Sequence, residues 1–120
     1  MDADKISSEE KIQRFIEESV PGKQVTLAHV IASPILSVYE SLGIEHRGAI
    51  GILALTPYES AIIAADVASK AANVEIAFLD RFTGSVLING DVESVETALQ
   101  AVVSFLHDSL GFSAMALSRS

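Results

Sequence analysis

Residues 74–88 read VEIAFLDRFTGSVLI, and the folding of this stretch decides the architecture. Two apolar runs, Val74–Leu79 and Val86–Ile88, flank the polar interval Asp80-Arg81-Phe82-Thr83-Gly84-Ser85. Branched and aromatic residues favour pleated strands, and a short polar interval containing glycine lets the chain reverse, so the stretch reads as a hairpin with its tip at Asp80–Ser85. Upstream, Ala49–Leu55 (AIGILAL) is a strand apolar on both faces and therefore expected to be covered on both. Thr56-Pro57-Tyr58-Glu59 has the form of a capping box with proline at the first helical position. The helix it opens extends to about Ala72 with an alanine face (Ala61, Ala64, Ala65, Ala68, Ala71, Ala72), and Asn73 is expected to stop it in the left-handed conformation. Downstream, Asp91 caps a helix whose Val92, Val95, Leu99, Val102, Val103, Leu106 and Leu110 recur at helical spacing. Gly111 ends that helix, and Phe112–Leu117 (FSAMAL) reads as a last strand. From Ala49 onward the order is strand, helix, strand, strand, helix, strand, the ferredoxin-like βαββαβ pattern of an α+β domain.

An extra strand and helix precede this unit. Val25–Ala32 (VTLAHVIA) is rich in branched residues. Ser33 offers an N-cap, Pro34 sits at the first helical position, and Gly43 closes a short helix through Leu42. Further towards the N-terminus the local signals compete. Ser7-Ser8-Glu9-Glu10 caps a helix with Ile12, Phe15 and Ile16 as its apolar stripe, whereas Ile12, Arg14 and Ile16 alternate as in a strand.

Composition narrows the function classes. A chain of 120 residues fits one domain with its own core, and the lack of cysteine rules out disulfides and thiolate metal sites. The acidic N-terminus is unlike a signal peptide, and no apolar run approaches the roughly 20 residues of a membrane span, so a cytosolic setting is expected with no membrane partner. Only 8 Lys and Arg stand against 16 Asp and Glu, and no basic stripe exists for nucleic acid. With 49% hydrophobic and 20% charged residues, the chain is expected to bury apolar surface between subunits. His29, His46 and His107 are widely spaced, so neither a metal site nor a catalytic constellation is expected.

Several blocks in order carry a family resemblance: Pro21-Gly22-Lys23-Gln24-Val25-Thr26-Leu27-Ala28-His29, Ala49-Ile50-Gly51-Ile52-Leu53, Thr56-Pro57, and Phe78-Leu79-Asp80-Arg81-Phe82-Thr83-Gly84. Together they resemble the circularly permuted shell proteins of bacterial microcompartments, the kind found with ethanolamine- and propanediol-utilising compartments. The resemblance covers about Val20 to Ser120. It implies a microcompartment domain at residues 21–120, with the strand and helix of Val25–Leu42 moved from the end of the domain to its front. It implies a structural protein, not an enzyme, that forms cyclic homohexamers. These tile with other shell proteins around encapsulated enzymes inside the cytoplasm, without cofactor or metal.

Residue roles follow from the same resemblance. Asp80, Arg81, Phe82, Thr83, Gly84 and Ser85 would line the sixfold channel, with Phe82 narrowing it and Asp80 and Arg81 pairing within or between subunits. Lys70 and Asn73 would lie at the hexamer edge, and Gly48 would act as a hinge for a bent hexamer. Residues 1–20, with Ile12, Phe15 and Ile16, would form an axial cap over one mouth of the channel. Gln13–Ser19 is longer and more charged than the resemblance leads one to expect, so six short helices stand beside six strands as the form of that cap. Taken without the resemblance, the tip reads as an ordinary hairpin turn, Lys70 as a solvated residue in a last helical turn, and Gly48 as part of a simple turn. A second functional class also stays open, a ferredoxin-like small-molecule-binding or regulatory domain, which would form dimers where a shell protein forms hexamers.

Overall fold

The computed structural model describes residues 22–120. Its centre is a strand whose two faces have different tasks. In β2 (Ala49–Thr56), Gly51, Leu53 and Leu55 point at a helical layer, while Ile50, Ile52 and Ala54 point to the other side of the sheet. β2 pairs antiparallel with β4 (Ser85–Gly90), and β4 pairs antiparallel with β3 (Glu75–Asp80), the hairpin expected from residues 74–88. On the other side of β2 lies β1 (Gln24–Ala32), antiparallel from Gln24↔Thr56 to Ala32↔Ala49. The sheet order is therefore β3-β4-β2-β1, extended by two short parallel bridges to β1, namely β5 (Ser113–Ala114) and β6 (Ser118–Arg119).

Two helices cover one face. α2 (Ser60–Ala71) buries Ala61, Ala64, Ala65 and Ala68, so its backbone lies close to the sheet, as its small residues allow. α3 (Val92–Leu110) buries Val95, Ala98, Leu99, Val102, Val103 and Leu106, the stripe read from the spacing. Its approach depends on Gly51. A Cβ there would sit 2.8 Å from Ile88 Cγ1 and 2.9 Å from Val95 Cγ1, closer than real side chains come, so any larger residue would push α3 off the sheet. The α1 helix (Leu36–Leu42) lies on the opposite face, where Val38 and Leu42 share an apolar cavity of about 360 Å³ with Ile31, Ile50, Ile52 and Leu87.

Several local expectations are corrected. Ser33 does not cap α1. It adopts φ 54 and donates its N–H to Gly48 O at 2.9 Å, so its backbone ties the end of β1 to the start of β2, and the helix begins three residues later with Ile35 as N-cap. The Thr56 capping box is absent because Thr56 stays in β2 opposite Gln24. Instead Pro57 O accepts from the Ser60 N–H at 3.0 Å and from the Ser60 hydroxyl at 2.5 Å, and α2 starts at Ser60. Asn73 does not take a left-handed conformation. α2 ends at Ala71, its C-cap Ala72 is extended with φ −157, and β3 starts almost at once. The expected last strand, Phe112–Leu117, shrinks to the two-residue bridge β5, and a second bridge, β6, forms just beyond it. The place beside β2 that the βαββαβ order gives to a final strand is filled by β1. Gly43 (φ 70) and Gly111 (φ 74) close α1 and α3 as expected, and Asp91 caps α3.

Candidate functional site

The tip between β3 and β4 is built from its own backbone. Gly84 N–H donates to Asp80 O at 2.9 Å, closing the turn, and Phe82 N–H donates to Asp80 Oδ1 at 2.8 Å. The Asp80 carboxyl is held below the ordinary carboxylate range first by that Phe82 N–H and then by the Thr83 hydroxyl. Thr83 Oγ1 also lies 3.2 Å from Ser85 Oγ, so carboxylate and hydroxyls form one local polar chain. The expected Asp80–Arg81 pairing is not formed within the subunit. Asp80 spends its oxygen on the turn, and the Arg81 guanidinium lies 4.5 Å from the centre of the Phe82 ring.

A second clamp fixes where the tip points. Gly84 O accepts from Leu55 N–H at 2.8 Å, which fastens the turn to the end of β2. Gly84 has φ 78, and a Cβ there would collide with Leu55 O and stand 3.0 Å from Tyr58 Cδ1. Backbone approach this close is open to glycine alone. Gly84 is thus buried in an otherwise exposed tip, and Phe82 projects beyond it, 71% exposed. Tyr58, Glu59, Arg81 and Phe82 line a recess of about 300 Å³ between the tip and the start of α2.

From that recess α2 leads directly away. Lys70 sits in its last turn, about 15 Å along the axis from Ser60 at 1.5 Å per residue. Its Nζ makes an exposed ion pair with Asp66 Oδ2 at 2.8 Å, and Asn73 is exposed just beyond. Tip and Lys70 therefore occupy opposite ends of one helix, which spacing alone does not reveal. Gly48 adopts φ 120 where the chain enters β2. The space a Cβ would need is available there, with Asp91 Cα at 3.7 Å, so the backbone angle and not crowding calls for glycine. Ile12, Phe15 and Ile16 lie outside the described residues.

Residues not singled out from the sequence hold the surroundings together. Buried Tyr39 anchors α1 by accepting Gly48 N–H at 3.2 Å, with its ring 4.6 Å from that of His46. Asn89, fully buried in β4, donates Nδ2–H to Glu45 O at 2.7 Å and pins the loop between α1 and β2. His29 lies between Ser118 Oγ (2.7 Å from Nδ1) and Ser120 Oγ (2.8 Å from Nε2), fastening the C-terminal bridge to β1. A lone buried polar side chain such as Asn89 is the one signal in the sequence that marks such a tie. Among the described residues no three His, Asp or Glu side chains gather as a metal site, and no helix is long and apolar enough to cross a membrane.

Comparison with known proteins places this arrangement. Residues 49–117, from β2 to the C-terminal bridge, match the BMC domain. The chain belongs to the family of bacterial microcompartment shell proteins. The shell protein CutR of Streptococcus intermedius is 62% identical over 110 residues, covering 92% of this chain and 95% of that protein. The shell protein PduU of Salmonella typhimurium is 50% identical over 107 residues, covering 88% and 92%. The solved structure of a CutR flat hexamer superposes with a TM-score of 0.81 at 61% identity, covering 88% of this chain and 97% of the other. The BMC chain described here is accordingly a structural component of a microcompartment shell and not an enzyme. The ferredoxin-like order and the shell role agree with the reading of the sequence, and the regulatory-domain alternative gives way to them.

Proposed function

We propose that this shell protein assembles as a cyclic homohexamer whose central channel is lined by Asp80, Arg81, Phe82, Thr83, Gly84 and Ser85, and that these hexamers tile with other shell proteins around encapsulated enzymes. The observation that carries the reading is the clamp at Gly84. It fastens the turn to the end of β2 and so fixes where the polar tip points; six copies would bring hydroxyls, a fixed carboxylate and the Arg81–Phe82 pair to one axis. The hexamer itself is supported by the CutR assembly, a close relative in sequence and backbone. Lys70 and Asn73 would then stand at the rim, in keeping with their position at the far end of α2, and make the contacts between hexamers. Gly48, at φ 120 between α1 and β2, would be the hinge of a bent ring.

We further read the chain as a circular permutant. Two features support this. β1 fills the place of a final strand beside β2, and the BMC domain match begins at Ala49, after β1 and α1. Residues 1–20, with Ile12, Phe15 and Ile16, are assigned an axial cap over residues 21–120, on the strength of the resemblance alone.

Replacing Phe82 and Thr83 together by glutamate tests the channel. The variant hexamer should form normally while leakage of small polar metabolites from assembled compartments changes. An intact hexamer with unchanged leakage would remove the tip from the permeation path.

A further inference from the structure

Residues 34–47, which carry α1, leave the sheet and return to it through one narrow joint. The chain exits at Ser33, with φ 54, and re-enters at Gly48, with φ 120, and the Ser33 N–H donates to Gly48 O at 2.9 Å. A serine in the left-handed region is uncommon and strained. The two turning points form a short axis from which α1 hangs as a flap. The flap is not packed down. Tyr39 is the only buried residue of α1, and Leu36 and Leu42 are exposed. The apolar cavity of about 360 Å³ lies between Val38 and Leu42 of the flap and Ile31, Ile50, Ile52 and Leu87 of the sheet. α1 therefore has room to settle onto that face, and burial of its apolar side chains there favours the move.

What holds the flap in place is polar and lies at its root. Tyr39 Oη accepts the Gly48 N–H at 3.2 Å, and Asn89 Nδ2 donates to Glu45 O at 2.7 Å. Both ties act on the loop of residues 44–48. Both also stand on the α1 side of the sheet, since Asn89 lies opposite Ile50, which lines the cavity. Each side chain has one hydrogen-bonding group left over. Asn89 Oδ1 is fully buried and has no donor. The O–H of Tyr39, a residue 1% exposed, has no acceptor among the described residues. A buried acceptor without a donor is disfavoured, and the spare donor closest in character belongs to the other half of the same clamp.

We infer that α1 is a flap that rocks about Ser33 and Gly48 between two positions, with Tyr39 and Asn89 as its latch. In the position described, the two side chains tie the loop and Asn89 Oδ1 goes without a partner. In the other, α1 settles onto the sheet, both loop ties let go, and the Tyr39 O–H donates to Asn89 Oδ1. Glu45 and Gly48 reach the surface, so their released backbone groups meet solvent. The inference rests on the Gly48 hinge proposed above and gives it a moving part inside one subunit, which needs no ring to work. Tyr39 and Asn89 are then positioning residues, which set the angle of α1 against the sheet.

Hydrogen exchange of the full-length chain, read by mass spectrometry on a peptide holding residues 44–48, tests the latch with Tyr39→Phe, Asn89→Ala and the double variant. Circular dichroism checks that each folds, and Asn89→Leu, closer in volume, replaces Asn89→Ala in the cycle if the alanine variant does not. A single substitution removes a tie from one position and the Tyr39–Asn89 bond from the other, so the two losses offset and loop exchange should change by less than about tenfold. The double variant should raise exchange by at least about tenfold more than the product of the two single effects, because the shared bond is then counted once. Exchange of α3 should stay as in wild type. A double effect equal to the product would overturn the inference by showing two independent ties, and exchange rising equally in α3 would overturn it by showing general loosening. Electron microscopy of the rings separates this result from the reading on which it rests. Coupled exchange with rings of one shape in wild type and variants would remove the bent ring and uphold the flap.

Discussion

Gly84→Ala is the perturbation for which the structure gives the largest local effect per atom added. Two costs combine. At φ 78 an alanine occupies the left-handed region, at about 1–2 kcal/mol. Its methyl group would also meet the Leu55 carbonyl, a backbone atom that cannot swing aside, so the turn must lift from β2 and lose the 2.8 Å bond from Leu55 N–H to Gly84 O, about 1 kcal/mol more. The sum is about 2–3 kcal/mol, or about 6–18 °C in Tm for a domain of this size. Gly43→Ala is the internal reference. Its φ of 70 is nearly the same, but nothing lies within 4 Å of its added methyl, so it should show the left-handed cost alone. Urea unfolding of both variants at equal protomer concentration separates the two terms, because assembly then contributes equally. If Gly84→Ala came within about 0.5 kcal/mol of Gly43→Ala, the close approach of tip to β2 would be refuted.

Other expectations are smaller in scale. Asp91→Ala should cost about 1 kcal/mol in urea unfolding, since Asp91 Oδ1 accepts the Ser94 N–H at 2.9 Å at the start of α3. Asp91, through the Ser94 N–H first, and Asp80, through the Phe82 N–H first, are both held below the ordinary value of 3.8. A depressed folded pKa means that their stabilisation is fully present above that value and lost as pH falls through the folded ones. Unfolding midpoints followed by circular dichroism should therefore be insensitive to these groups between pH 7 and about 5, and decline below about pH 4, less steeply in Asp80→Asn and Asp91→Asn. Lys70→Ala should leave stability within about 0.5 kcal/mol, its ion pair with Asp66 being exposed, yet weaken the tiling of hexamers into sheets seen by electron microscopy. Normal sheets would take Lys70 out of the edge contact.

What the sequence revealed and what it concealed follow a physical division. Periodicity carried α3 from Val92 to Leu110, because one helix face buried on one sheet leaves a repeating mark. The 74–88 hairpin and the glycine stops at 43 and 111 were legible because each depends on residues a few positions apart. Local rules failed where distant strands took over. Ser33 and Thr56 each have cap chemistry, but Ser33 is tied to Gly48 and Thr56 is paired with Gln24, and the sheet prevails over the cap. FSAMAL has strand propensity, yet β1 already holds the place beside β2, so the segment forms only the short bridge β5 on the outer side of β1. At the tip, the residues were legible but the cause of their geometry was not. That Gly84 touches Leu55, and that Tyr58 at the root of α2 stands beside it, depends on contacts across nearly thirty positions. Nor could spacing alone show that Lys70 and the tip sit at opposite ends of α2.

The central claim, a tip at a sixfold axis with Lys70 at the rim, is open to one direct measurement. The chain has no cysteine, so Thr83→Cys and Lys70→Cys each introduce a single thiol per subunit for a nitroxide label. Pulsed electron spin resonance on the two labelled assemblies should give the distance set of a six-membered ring for each. The Thr83 set should be much the shorter, because α2 carries Lys70 away from the axis. A Thr83 set as long as the Lys70 set, or a single distance typical of a pair, would contradict the account.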